Sequence, residues 1–264
     1  MALHKTRALV VARRALGESD RLVEFYTLDF GKVRGVAKSA RRPRSRFGSA
    51  LEPFTLGELI FFDTGRSELV RVDHFDIAHP FAQLREDLDR LGRGAWMLEC
   101  VVRLCADRDP HAALFRLLVR GLRALESSSR PVWVSACFAV RAVDLLGHRP
   151  RIDRCESCGR AFPFPRPTLD MAAGGLVCGS CRPEADAMDL SPAAVGSLKR
   201  FRELRWEELL RLPLARPLET EVSTLIEGMV ARLAGQVPRS TRYLTQMRHA
   251  LSRVAEPAPA GRSR

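Results

Sequence analysis

Residues 22–37, LVEFYTLDFGKVRGVA, contain two short runs rich in Val, Phe, Tyr and Thr, Leu22–Thr27 and Lys32–Ala37, on either side of the turn residues Asp29 and Gly31. Apolar and polar side chains partly alternate in both, which is the pattern of strands with one buried face. Similar runs lie outward from this pair at Thr6–Arg13, Phe54–Phe62 and Leu69–Phe75, punctuated by Gly17, Gly48 and Gly65. Five short strands within the first 80 residues predict a small closed or partly closed barrel, because alternation fills one interior and closure removes exposed edges. An OB-fold is one such barrel.

The same region holds a basic run. Lys32, Arg34, Lys38, Arg41, Arg42, Arg44 and Arg46 fall within residues 31–51 with no Asp or Glu until Glu52. Each phosphate met by a Lys or Arg releases condensed counterions, so such a cluster can bind a nucleic-acid strand without reading its sequence. A solvated basic loop is the plainer reading of the same residues. Across the chain the formal charge is +12, from 43 basic and 31 acidic side chains, and the excess is concentrated at the two ends. That distribution implies a basic face rather than a uniformly cationic particle. Nearly all of it is Arg, which binds phosphate bidentately. Among Phe25, Tyr26, Phe30, Phe47, Phe54, Phe61, Phe62 and Phe75 most are expected in the core, with Phe47 favoured as a base-stacking residue by its place in the basic loop.

From Pro80 the period changes from two to between three and four. Leu84, Leu88, Leu91, Ala95, Leu98, Val102 and Cys105 predict an amphipathic helix, or a pair broken near Gly92 and Gly94. A second helix follows Pro110, and a third runs from Pro131 to about Leu146. Ser191-Pro192 reads as an N-cap and first helical residue. Further helices are predicted at Leu218–Leu233 and Ser240–Leu251, with a disordered tail of Pro, Ala, Gly and Arg after them. Trp96, Trp133, Cys100, Cys105 and Cys137 are read as packing residues of the helical layer.

Cys155-Glu-Ser-Cys158 and Cys178-Gly-Ser-Cys181 are two CxxC pairs separated by 19 residues. Each pair forms a tight knuckle, and a connecting hairpin of this length lets both knuckles complete a tetrahedron of thiolates around one zinc ion. Four sulfurs leave no position for water, so the zinc is expected to be structural. An enzyme site cannot be assembled: Tyr26 stands where a phosphate loop ending at Gly31-Lys32 needs glycine, there is no HExxH, and the six histidines form no constellation. No apolar stretch is long enough for a signal-peptide core or a membrane span, so the expected location is the cytoplasm, with no membrane partner.

Several segments resemble one family in order. These are Gly17-Glu18-Ser19-Asp20-Arg21-Leu22, Gly31-Lys32 leading into Gly35-Val36-Ala37-Lys38, Arg41-Arg42 to Ser45-Arg46-Phe47-Gly48, and Leu51-Glu52-Pro53-Phe54. Pro80-Phe81 through Leu84-Arg85-Glu86-Asp87-Leu88, the Gly147 segment before Cys155, and Leu190-Ser191-Pro192 continue the match. Together they are similar to the RecO family of bacterial DNA repair proteins over nearly the whole chain. The resemblance implies an α+β multidomain protein with an OB-fold over 1–79, a helical domain in two parts, 80–150 and 187–254, an inserted zinc ribbon over 151–186, and a tail over 255–264. It further implies a non-enzymatic mediator of recombination, associated with the nucleoid. Such a protein binds single- and double-stranded DNA, anneals complementary strands, including strands coated by single-stranded DNA-binding protein, and binds that protein's acidic C-terminal tail. With RecR it assists RecA loading. By position, Lys32, Arg34, Lys38, Arg41, Arg42, Arg44 and Arg46 match the family's DNA-binding stretch, and Cys155, Cys158, Cys178 and Cys181 the ribbon ligands. Arg116, Arg120 and Arg123 are candidates for the tail, or a solvated helix face. The alternative is an RNA-binding protein of the same architecture with no repair role.

Overall fold

The computed structural model describes residues 1–181, 186–236 and 238–240. The predicted helix at Ser240–Leu251 and the predicted tail lie outside these residues, apart from Ser240. The first strand, β1 (Ala2–Leu16), is followed by β2 (Asp20–Thr27), β3 (Gly31–Ala37), β4 (Leu56–Asp63) and β5 (Leu69–His79). They close a barrel in the order β1-β2-β3-β5-β4, with β4 pairing back onto β1 and only β3 and β5 parallel. That is the architecture expected of an OB-like barrel, in which no strand edge is left for another chain.

β1 is twice the predicted length because it serves both sides of the barrel. Ala2–Leu9 pair with β4 and Ala8–Leu16 with β2, and the register shifts between Val10 and Ala12. A bulge of this kind bends and twists a strand enough to turn a barrel corner. The interior is filled by Ala8, Val10, Val23, Phe25, Val33, Leu59, Phe61, Val70, Val72 and Phe75, in the period-two positions of their strands. Gly31 is required where it stands. Its φ is +62°, and a Cβ there would lie 2.3 Å from the carbonyl oxygen of Asp109, so the segment after the first helix rests directly on the barrel backbone.

A single 3-10 turn at Ala82–Arg85 leads into α1 (Leu88–Leu104), α2 (Ala112–Ser127) and α3 (Pro131–Leu145). Asp87 caps α1, accepting the backbone N–H of Arg90 at 2.8 Å. α1 is continuous through Gly92 and Gly94, so the broken-pair alternative is corrected. Gly94 exists for packing: a Cβ there would come within 3.0 Å of the Phe54 ring. α4 (Pro192–Glu203) starts at Ser191, whose hydroxyl accepts from the Ala194 N–H, and α6 (Arg216–Leu233) follows. Between them lies α5 (Trp206–Arg211), which the sequence pattern does not predict; at six residues it is too short to show a helical period, and it is held by tertiary contacts. One is Trp133 Nε1 donating to the Leu209 carbonyl at 3.1 Å.

β6 (Thr168–Asp170), β7 (Gly175–Val177) and β8 (Met188–Asp189) form a small antiparallel sheet in the order β7-β6-β8. It carries Leu169, Leu176 and Val177 into the same hydrophobic core as Trp96, Trp133 and Phe138. Among the described residues no helix is long and apolar enough to cross a membrane.

Glu99 ties the described end of the chain to α1. Its carboxylate accepts from the backbone N–H groups of Arg239 (2.8 Å) and Ser240 (2.9 Å) and from the Ser240 hydroxyl (2.7 Å). Burial alone would raise its pKa, but these hydrogen bonds and Arg103 outweigh it and hold the carboxyl below its usual value. A depressed carboxyl stabilises the fold above the unfolded-state pKa and loses that contribution as pH falls through the folded-state value. Glu99→Gln is therefore expected to lower stability by about 2 kcal/mol at pH 7. The gap between the two proteins in urea unfolding should narrow below about pH 4. An equal gap at both pH values would contradict this.

Candidate nucleic-acid interface and metal centre

The segment between β3 and β4 is ordered by its apolar residues. Ala40, Phe47, Ala50 and Leu51 are buried with the barrel interior, and a chain of short backbone hydrogen bonds, from Arg42 N–H to Ser39, Ser45 to Arg42, Gly48 to Ser45 and Ala50 to Phe47, folds it into successive turns. The segment closes one end of the barrel like a plug. With its apolar side chains turned inward, Lys38, Arg41, Arg42, Arg44 and Arg46 are left exposed on the outside.

The plug is fastened to the β1–β2 turn. Arg41 N–H donates to the Ser19 carbonyl at 2.9 Å, Arg41 Nη1 to the Gly17 carbonyl at 2.6 Å, and the Ser39 N–H to the Asp20 carboxylate at 2.7 Å. The Asp20 pKa is lowered first by that Ser39 bond, then by Ser19, with Lys38 and Arg42 adding to it. This fastening brings in cations distant in sequence. Arg21 pairs across the sheet with Ala37, next to Lys38, and also with Ala15, next to the exposed Arg14. Arg14 and Arg21 were not among the predicted residues. Only strand register could have found them.

The seven predicted residues divide into two groups. Lys32 is mostly buried; its ammonium donates to the Val102 carbonyl at 2.8 Å and pairs with Asp107 at 3.0 Å. Arg34 meets Glu68 at 3.1 Å and Asp107 at 3.3 Å. Both point at the junction with the end of α1, where Arg108 N–H also bonds the Lys32 carbonyl, and so away from the plug. Arg46 is near Asp73 at 3.8 Å and lies over the Phe47 ring at 5.1 Å. Phe47 itself is 3% exposed, which corrects the expectation that it stacks on a base: it is the hydrophobic anchor of the plug. Of the eight aromatics considered, only Phe30 and Phe62 are partly exposed, and Arg71 covers Phe62 at 4.6 Å.

Lys32→Met is accordingly expected to cost about 2 kcal/mol of stability by removing a charged hydrogen-bond donor from a nearly buried site. The salt dependence of nucleic-acid binding should remain as in the wild type. A shallower salt slope with unchanged stability would make Lys32 a phosphate ligand instead.

The four ribbon cysteines come together as their spacing predicts. All four Sγ atoms lie within 4.8 Å of one another, and no other group of three or more potential ligands occurs among the described residues. The Cys158–Cys178 and Cys178–Cys181 separations are 3.9 and 3.5 Å. A tetrahedral ion with metal–sulfur bonds of about 2.3 Å requires sulfurs about 3.8 Å apart, so the set fits a tetrahedral thiolate metal. The Cys178 N–H points at Cys155 Sγ at 3.3 Å. Burial opposes ionisation of Cys155, yet N–H groups from Cys178, Cys158 and Ser157 bring its pKa down to about 6.

Arg116, Arg120 and Arg123 lie exposed on the outer face of α2, and Arg120 is paired with Glu207 at 2.6 Å.

Barrel, plug and cysteine ribbon define the class: an OB-barrel protein joined to a helical domain that carries an inserted four-thiolate site. Comparison with known proteins is specific. The chain matches the family models for Recombination protein O N terminal over residues 1–81 and Recombination protein O C terminal over 85–242. It is 35% identical over 231 residues to the DNA repair protein RecO of Rubrobacter xylanophilus, covering 87% of this chain and 92% of that one. It is 32% identical to that of Syntrophobacter fumaroxidans, covering 96% and 100%, and 34% identical to that of Myxococcus xanthus, covering 91% and 96%. The chain belongs to the recombination protein O family of DNA repair proteins, which places its role in repair and recombination.

Proposed function

We propose that this protein binds single- and double-stranded DNA through the barrel plug and anneals complementary strands, including strands coated by single-stranded DNA-binding protein. The observation that carries the reading is the orientation of the plug: Ala40, Phe47, Ala50 and Leu51 are turned inward and Lys38, Arg41, Arg42, Arg44 and Arg46 outward. Phosphates bound by these residues lose much of their mutual repulsion, while bases not stacked on protein keep their pairing edges free. The burial of the barrel aromatics favours this over a coat protein that sequesters bases. No bond is made or broken, so no catalytic residue is assigned.

In the cell, by family membership, the protein would act with RecR to assist RecA loading and would dock on the acidic tail of single-stranded DNA-binding protein, working in the cytoplasm at the nucleoid. The division into 1–79, 80–150, 151–186 and 187–254 accompanies this reading. The metal is zinc, one ion, held by Cys155, Cys158, Cys178 and Cys181; when bound it supplies a rigid cross-link to a ribbon too small to hold itself by apolar burial. The test is annealing of complementary oligonucleotides coated by single-stranded DNA-binding protein, without ATP, by the wild type and by the Arg41→Glu, Arg42→Glu, Arg44→Glu variant. Annealing lost in the variant supports the reading. A folded, zinc-loaded wild type that does not anneal overturns it in favour of RNA binding.

A further inference from the structure

OB barrels hold oligonucleotides on the outer face of their second and third strands, between the turns that join strands 1 to 2 and 4 to 5. Here Leu22, Glu24 and Arg34 form that face, alternating with the interior residues Val23, Phe25 and Val33. A trough crosses it. One cavity of about 330 Å³ is walled by Arg14, Leu22, Glu24, Arg34 and Asp107, and a second of about 210 Å³ by Lys32, Arg34, Glu68, Asp107 and Arg108. Arg34 and Asp107 belong to both, so the two cavities adjoin at this pair.

The Arg34 side chain is 40% exposed in this trough, yet its outer nitrogen is taken twice. Nη2 donates to Glu68 Oε2 at 3.1 Å and to Asp107 Oδ2 at 3.3 Å. Glu24 lies directly across the sheet from it. The two acceptors are held differently. Asp107, in the segment after α1, is fixed by Lys32 Nζ at 3.0 Å, by a backbone bridge to Lys32, and by the Arg108 N–H on the Lys32 carbonyl at 3.2 Å. The Lys32 bond is the first cause of its lowered pKa, so it is charged at neutral pH. Glu68, on the β4–β5 turn, is 85% exposed and is paired with Arg34 alone among the described residues. The other cations of the trough are matched as well. Arg13 meets Glu52 at 2.6 Å, Arg108 meets Asp63 at 2.9 Å, and Arg14 shares its cavity with Glu24.

Two carboxylates converging on one guanidinium nitrogen fill the donor that a phosphate oxygen would take, and they repel any phosphate brought beside them. The trough is therefore neutral where the plug is cationic. We propose that Glu68 and Asp107 act as built-in phosphate mimics that keep the β2–β3 trough a latent nucleic-acid site, closed at Arg34, so that a strand is confined to the plug. The inference rests on the reading of the plug as a phosphate-binding surface. It gives annealing a physical basis: a strand laid across both plug and trough would be held along more of its length, with more contacts to break before it could pair with its complement. A strand reaches Arg34 only by displacing Glu68, the exposed member of the pair.

The test measures binding of a labelled oligothymidine by the full-length protein over a salt series. The Glu68→Gln, Asp107→Asn variant, which keeps the hydrogen-bonding groups and removes the charges, is expected to bind about fivefold tighter at 0.1 M salt. Its slope of log K against log salt should steepen by about 0.7, the gain of one phosphate contact on a single strand. Glu68→Gln alone, at an exposed position that leaves the fold intact, should shift both in the same direction. Adding Arg34→Gln to the double variant should remove the gain, and the same change should cost far less in the wild type. No gain in either carboxylate variant overturns the inference. So does a gain that survives Arg34→Gln, which would be a long-range charge effect, or an equal loss from Arg34→Gln in both backgrounds, which would mean that the trough is already open. The plug reading is judged separately by the Arg41→Glu, Arg42→Glu, Arg44→Glu variant: unchanged binding there ends that reading, whatever Arg34 does.

Discussion

Charge reversal at Arg41, Arg42 and Arg44 is expected to weaken binding of every single-stranded sequence to the plug about a hundredfold at 0.1 M salt. The magnitude follows from counterion release. Each phosphate contact on a single strand contributes a slope of about −0.7 in log K against log salt, so three lost contacts remove about 2 from the slope. The folded state should survive, because these side chains are exposed and the plug is held by Phe47, Leu51 and the backbone bonds to the β1–β2 turn. The three positions differ in one respect. Arg41 also donates to the Gly17 carbonyl, an exposed bond worth about 1 kcal/mol at most, so a small drop in melting temperature is expected from position 41 alone. Fluorescence anisotropy over a salt series on sequences of different composition checks the prediction. Loss confined to one sequence, or a slope equal to the wild type's, would sink the assignment.

Cys155→Ser is expected to abolish metal retention and to unfold the ribbon. A serine hydroxyl does not replace a thiolate as a ligand at neutral pH, and metal binding in small zinc domains supplies on the order of 10 kcal/mol of folding free energy. The damage should spread into the helical domain. Ile152, Cys155, Leu169, Leu176, Val177 and Cys178 share one continuous core with Trp96, Trp133 and Phe138. Barrel residues such as Phe25, Phe61 and Val72 form a separate cluster. Single-strand binding at the plug should therefore persist while the melting transition broadens. Metal content after dialysis against a chelator, with unfolding followed by circular dichroism, gives the answer. Full metal retention in the variant would show that three thiolates suffice.

The structure also divides residues that lie side by side in the sequence. Lys32 and Lys38 belong to one basic run, yet Lys32 bonds the Val102 carbonyl and Asp107 at the end of α1, and Lys38 faces solvent. Lys32 sits on a strand whose outward face is covered by the segment following α1. That segment can approach because Gly31 has no side chain. No pattern local to residues 31–46 carries this information. Likewise the basic character of Phe47's surroundings invited a stacking role, but a large aromatic in a loop that plugs a barrel is more strongly stabilised inside it.

From the sequence by itself came the period-two strands of the first 80 residues, the helical period after Pro80, the Ser191 cap and the two CxxC knuckles, because each depends on residues a few positions apart. Tertiary structure alone decided the closure of β4 onto β1, the bulge that permits it, the existence of α5, and the division of cations between the α1 junction and the plug. These depend on which distant segments meet. Arg21 joins Lys38 through strand register, and Lys199 of α4 meets Asp153 of the ribbon through the packing of the two. Electrostatic fields act through space, so a basic run in the sequence becomes a smaller outward-facing set once Asp107 and Glu68 take up Lys32 and Arg34.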